Sequence, residues 1–198
     1  MQSILRFVLR AVPFMGCALL PLLIWRICRV RALTRRRLAF SPAREAVLFL
    51  FFLFLVGLAA LTVCPPVSWQ SGLPHLIPTT GKGGLNLIPF RIIEQTWYEV
   101  CVYGNRDYFL INCLGNIILF LPIGFCPPLL WRMAPGWSVL IGALSSLCIE
   151  LCQLSMARGT DVDDLILNTF GTFLGMLFFL LLRRTAPRFC AHFRVHTI

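Results

Sequence analysis

The length of its apolar runs limits what this chain can fold into more than any other feature. Ala46–Cys64, Tyr108–Trp131, Trp137–Met156 and Leu165–Leu182 each hold about 18–24 residues, and Glu150 is the one charge among them. As a helix, a run of that length crosses a hydrocarbon core of roughly 30 Å. Within lipid every backbone N–H and C=O must be bonded inside the chain, so such runs become helices. A fifth run, Ala11–Trp25, is shorter and has Arg10 and Arg26 at its ends. It either lies in the interface or re-enters, or it spans as part of a longer helix from which Arg6 and Arg10 snorkel. We take the spanning reading. A removed signal peptide fits less well, because no small-residue cleavage site follows and the run leads into arginines.

The expected fold class is therefore all-α, a polytopic membrane helical bundle of about five transmembrane helices, four strong and one weaker at the N-terminus. Composition agrees, since 58% of the residues are hydrophobic and 13% charged, well below the charged share of soluble domains. Three segments are expected: 1–45, an N-terminal hydrophobic segment and basic cytoplasmic loop; 46–182, the membrane domain; and 183–198, a basic cytoplasmic tail.

The net charge of +10 sits in two places. Between the first two runs lie Arg26, Arg29, Arg31, Arg35, Arg36, Arg37 and Arg44, with Glu45 as the one acid. The tail adds Arg183, Arg184, Arg188 and Arg194. The positive-inside rule places both in the cytoplasm, and four crossings between them satisfy that. The basic run is read as a topology determinant near anionic headgroups, not as a nucleic-acid surface. By alternation, Pro65–Asp107 and Ala157–Asp164 lie outside. In the first, Ile88, Phe90, Ile92, Ile93 and Trp97 would rest on the membrane surface beneath Arg91, Glu94 and Glu99.

The nine cysteines make no disulfide framework, since most fall inside apolar runs and act there as small hydrophobes. Cys64 and Cys101 share one side of the membrane, and spacing leaves their pairing open. No CxxC or His-bearing ligand pattern occurs, so no metal and no cofactor is expected.

Half of the eight acidic residues fall in the stretch Glu150–Asp164. On the alternating topology, Asn112 and Asn116 lie in the outer half of the third long run, four apart on one helix face. Glu150 and Gln153 end the fourth, and Asp161, Asp163 and Asp164 open the last, with Asn168 one turn in. Arg158 stands in the loop between them. An ionised Glu150 facing lipid would cost several kcal/mol, so it should face the bundle interior among polar partners. Thr160-x-x-Asp163 also matches a capping box, and aspartates suit a helix N-terminus whatever else they do. Asn112 and Asn116 serve equally well as hydrogen-bond glue between helices. Gly115, Gly142, Gly171 and Gly175 would permit close approach, the last two as a GxxxG, and Pro122, Pro127 and Pro128 would kink or end the third helix.

Four ordered blocks carry a family resemblance: NLIPF (86–90), N-x-x-G-N-x-x-L-F-x-P-x-G (112–124), E-x-x-Q (150–153) and R-x-x-D-x-D-D-x-x-x-N-x-x-G (158–171). Together the chain resembles the VanZ-like family, small membrane proteins mainly of Gram-positive bacteria, over a core of residues 86–175. The resemblance implies a multi-pass protein of the bacterial cell membrane that bears on resistance or tolerance to glycopeptide antibiotics of the teicoplanin type. With motif and topology taken together, the candidate binding residues are Asn112, Asn116, Glu150, Gln153, Arg158, Asp161, Asp164 and Asn168.

Three functions remain open on these residues. The first is a non-enzymatic protein whose outer-leaflet polar pocket binds a lipid-bearing envelope ligand, with membrane lipids and a glycopeptide or lipid-linked molecule as partners and no nucleic acid. The alternative is an enzyme acting on an envelope lipid or peptidoglycan precursor at the outer face, with Glu150 and an aspartate as general acid and base or as ligands of a divalent ion. Against it, no nucleophile stands beside a base. Transport is the third, although no inverted repeat is visible.

Overall fold

The computed structural model describes residues 2–35, 38–39, 41–70, 73–77, 84–154, 159–193 and 196–197. A short helix α1 (Gln2–Leu9) turns at Arg10 and Ala11 into α2 (Val12–Arg35), and a two-residue strand β1 (Leu38–Ala39) precedes α3 (Pro42–Thr62). After α3 come the hairpin β2 (Val67–Gln70) and β3 (Leu73–Leu76), then the short strand β4 (Leu85–Asn86). Helix α4 (Arg91–Trp97) runs on into a π-helical turn, Tyr98–Val102. The next long helix is composite: α5 (Arg106–Tyr108), a π segment Phe109–Leu114, and α6 (Gly115–Leu130). Then follow α7 (Gly136–Leu154), β5 (Thr160–Asp161), α8 (Val162–Thr185), α9 (Pro187–Ala191) and β6 (His196–Thr197), which pairs with β1.

Among the described residues, five helices are long and apolar enough to cross a membrane: α2, α3, the composite Arg106–Leu130, α7 and α8. The protein is a multi-pass membrane protein. Its fifth span is longer than the apolar run suggested, because α2 continues through Arg26, Arg29 and Arg31 to Arg35. Those arginines therefore stand on a helix instead of in a loop. Leu20, Ile24, Leu50, Leu144, Leu151, Phe178 and Leu181 point outward from the bundle, as lipid-facing side chains do.

Backbone contact at glycines holds the centre together. A Cβ on Gly171 or Gly175 of α8 would collide with the carbonyl of Ile117 or Leu121 on α6, and one on Gly124 would collide with that of Thr172. Gly142 of α7 makes the same kind of room for the Thr172 side chain. Gly115 does not, since a Cβ there meets only the Leu110 carbonyl of its own helix. That glycine therefore makes no close approach to a neighbouring helix among the described residues. The prolines do not break α6: it runs through Pro122 and ends at Leu130, two residues past Pro128.

One end of the bundle is closed by apolar side chains, with Leu48, Phe51, Leu129, Leu130, Phe179, Cys190 and Phe193 in one cluster. Two arginines of the basic segment meet at this end, where Arg44 reaches the Leu130 carbonyl. Arg26 and Arg44 are buried and both pair with Glu45, Arg44 through Nη1 at 2.9 Å from Oε1. Two arginines of the basic segment are thus structural. Removing the shared acid leaves two buried cations without a counter-ion, a change that costs about 3–5 kcal/mol. Glu45→Ala should lower thermal stability in detergent accordingly, and Glu45→Ala with Arg26→Met should recover a good part of it. Equal stability of Glu45→Ala and wild type would contradict the reading.

Cys64 and Cys101, whose pairing the spacing left open, form no disulfide with each other.

Candidate functional site

The other end of the bundle is polar, and a hairpin at the start of α8 organises it. Asp161 is the N-cap: its carboxylate accepts the Asp163 N–H at 2.9 Å. The Thr160–Asp163 capping box is therefore not formed. The Thr160 hydroxyl is turned away and donates to the Glu150 carbonyl at 3.1 Å, because residues 160–161 are extended and pair with residues 85–86 as a parallel bridge. The Thr160 N–H donates to the Gly84 carbonyl and the Asn86 amide donates to Asp161 Oδ1, both at 2.9 Å.

Asp163 does something that capping does not describe. It is 1% exposed, and its two oxygens accept the N–H groups of Phe90 and Ile92 at 2.5 and 2.7 Å. Phe90 has φ +65°, a left-handed conformation that is uncommon for a bulky side chain. The carboxylate thus clamps NLIPF from a position 73 residues away. It also corrects the expected membrane-surface face of that segment. Ile92 is buried beneath α4, while Ile88, Phe90, Ile93 and Trp97 are exposed.

Glu150 is 5% exposed near the end of α7, and its Oε2 accepts the Asp161 N–H at 3.0 Å. From there a cavity of about 270 Å³ extends between α3, α6, α7 and α8, lined by Asn112, Asn116, Glu150, Gln153, Asp164 and Asn168 together with Arg10 and Thr62. Asn116 donates to Asp164 Oδ1 at 2.5 Å, joining α6 to α8. Asn168 donates to the Ser146 hydroxyl at 2.9 Å, joining α8 to α7. Gln153 donates to the Thr62 carbonyl at the end of α3, at 3.0 Å.

Beside it is a second polar cavity of about 380 Å³, whose lining includes Asn86, Arg91, Gln95, Tyr108 and Asp161. Asn112 and Asp164 line both cavities and form the wall between them. The π segment places Asn112 there, and such segments recur at functional positions. On the far side of α4 runs an apolar groove of about 580 Å³ bounded by Ile93, Trp97, Val100, Phe109 and Leu110, with Arg106 among its lining residues.

Of the eight residues expected from the sequence, six line the first cavity and Asp161 lines the second while capping α8. Arg158 lies outside the described residues. The sequence reading missed Asp163 as a clamp, Asn86 as its neighbour in the same knot, and Arg10 as a cavity residue. The NLIPF motif carried a signal for the first two. Arg10 carried none, since a flanking arginine at the end of an apolar run ordinarily snorkels. Among the described residues, no group of three or more His, Cys, Asp or Glu side chains is arranged to hold a metal ion.

A family model described as VanZ/LLP1 matches residues 47–183. No curated protein and no solved structure gives a match.

Proposed function

This chain belongs to the VanZ/LLP1 family, and on that premise we propose that it binds a lipid-bearing envelope ligand at the outer leaflet of a bacterial cell membrane and so bears on tolerance to glycopeptides of the teicoplanin type. The observation that carries the reading is the cavity where Asn112, Asn116, Glu150, Gln153, Asp164 and Asn168 converge from three spans. Intramembrane polar side chains are costly and face functional interiors. The arginine clusters lie at the opposite end of the bundle, which under the positive-inside rule turns the cavity outward. An apolar groove alongside suits the chain of such a ligand, while the polar groups suit its head.

A strain lacking the protein, complemented with wild type or Glu150→Gln, tests this against teicoplanin beside vancomycin. Glu150→Gln keeps an oxygen for the Asp161 N–H, so it should be expressed and folded. The expected result is a teicoplanin-selective change on deletion that the variant fails to reverse. Equal effects on both antibiotics, or full rescue by the variant, would sink the proposal.

One observation favours the enzymatic alternative: two carboxylates, Glu150 and Asp164, line the same cavity. Asp163 suits that role less, since it does not line the cavity and its two oxygens hold the N–H groups of Phe90 and Ile92. Turnover of a labelled lipid-linked precursor by purified protein with Mg²⁺, abolished in Asp164→Asn, would replace the binding reading.

A further inference from the structure

Among the residues around the 270 Å³ cavity, one buried acceptor has no donor among the described residues. Each amide NH₂ group lining it already donates to the protein. Asn112 donates to the Tyr108 carbonyl, Asn116 to the Asn112 carbonyl and Asp164, Gln153 to the Thr62 carbonyl, and Asn168 to Ser146. Asn112, Gln153 and Asn168 each have a second amide N–H, and beside them stand three acceptors with capacity left among the described residues. Asn168 is 4% exposed, and its Oδ1 is buried with no hydrogen-bond donor among the described residues. Glu150 has one oxygen bonded to the Asp161 N–H, and Asp164 has one bonded to Asn116, so each keeps a second oxygen with no donor among the described residues. A buried carbonyl oxygen without a donor is unfavourable by about 1–3 kcal/mol, and a ligand that donates to it removes that penalty.

Charge points the same way. Two carboxylates line the cavity, and Arg10 lines it from the turn between α1 and α2 without forming an ion pair with either among the described residues. A ligand with a positive end for the carboxylates and a negative end for the guanidinium satisfies both. Size sets a limit as well. At about 270 Å³ the cavity falls below the range of drug-sized sites, so it takes a headgroup and not a whole glycopeptide.

We propose that this cavity receives the primary ammonium of a zwitterionic phospholipid headgroup, with Asn168 Oδ1, Glu150 and Asp164 accepting its N–H groups and Arg10 meeting its phosphate. This rests on the reading of the cavity as a lipid-ligand site and names the chemistry of the head. A trimethylammonium head is disfavoured because it has no N–H to donate. A bare divalent ion is disfavoured because the described carboxylates make no group of three.

The test uses full-length protein in detergent, with lipid retention followed by native mass spectrometry. The probes are phosphatidylethanolamine and phosphatidylcholine with identical acyl chains. Wild type should retain the ethanolamine lipid about tenfold more strongly, the value of one hydrogen bond to a charged group. Glu150→Gln and Asn168→Leu should each bring the ratio close to one, whereas Asn168→Asp, which keeps the acceptor, should preserve it. If Asn168→Leu does not fold, Glu150→Gln still decides. Arg10→Gln should weaken retention of both lipids and leave their ratio unchanged, since both carry the phosphate. Equal retention of the two lipids by wild type would overturn the ammonium assignment while leaving a lipid site in place. Displacement of the bound lipid by Mg²⁺ would also overturn it, and so would displacement by soluble O-phosphoethanolamine at equal concentration, which would make the free solute the ligand.

Discussion

Asp163→Ala is expected to release the NLIPF segment and to destabilise the protein by about 3–5 kcal/mol, because two backbone N–H groups lose a charged acceptor in a buried setting. The Ile92 N–H is buried, and Phe90 holds a left-handed conformation that costs on the order of 1–3 kcal/mol unless its surroundings impose it. Without the carboxylate, Phe90 should relax and α4 should lose its anchor on α8. Amide hydrogen exchange should rise over residues 88–97, and thermal unfolding in detergent should move down. Asp163→Asn should fall between, since an amide keeps one acceptor oxygen where the carboxylate has two. Asp161→Asn should be mild, as Asn caps a helix about as well as Asp. If exchange in 88–97 were unchanged in Asp163→Ala, the clamp would be refuted and Asp163 would be no more than a residue of the first turn of α8.

The second large effect is expected at the glycines between α6 and α8. Gly171→Ala places a methyl on the Ile117 carbonyl, and Gly175→Ala places one on the Leu121 carbonyl. Backbone cannot swing aside as a side chain does, so the helices must separate. Overpacking of this kind costs about 1–3 kcal/mol per site, and the double variant should not remain folded and monodisperse in detergent. Gly16→Ala on α2 is the control. Nothing lies within 4 Å of a Cβ there, and the higher helix propensity of alanine should leave stability unchanged or slightly raised. Normal stability of Gly171→Ala/Gly175→Ala would mean the two helices are not in backbone contact.

The two predictions separate residues that looked alike in the sequence. Asp161, Asp163 and Asp164 share one first turn, yet one caps α8, one clamps NLIPF, and one lines the cavity beside Asn116. Short-range reasoning assigns all three to the helix dipole, because that field acts on any acid in the first turn. It carries no information on a partner 71 residues upstream, such as the Ile92 N–H. Arg10 was misplaced for a similar reason: its position at the end of an apolar run suited the membrane interface, and only the fold of α1 and α2 against the bundle sets it on the cavity.

The spans were legible because lipid leaves the chain little choice. Runs of about 20 apolar residues must become helices, and their charged flanks set the order in which they cross. That alternation was enough to predict that Asn112, Glu150 and Asp164 would meet at one end. Burying a lone carboxylate is unfavourable enough that Glu150 could be placed in the interior without coordinates. Which side chain meets which is a different kind of question. It depends on helix rotation and separation, set here by glycine contacts between α6 and α8 and by a π segment that contains Asn112, and neither follows from hydrophobic periodicity. The division into two polar cavities, the inward turn of Ile92 and an Asn168 oxygen without a donor among the described residues came from packing alone.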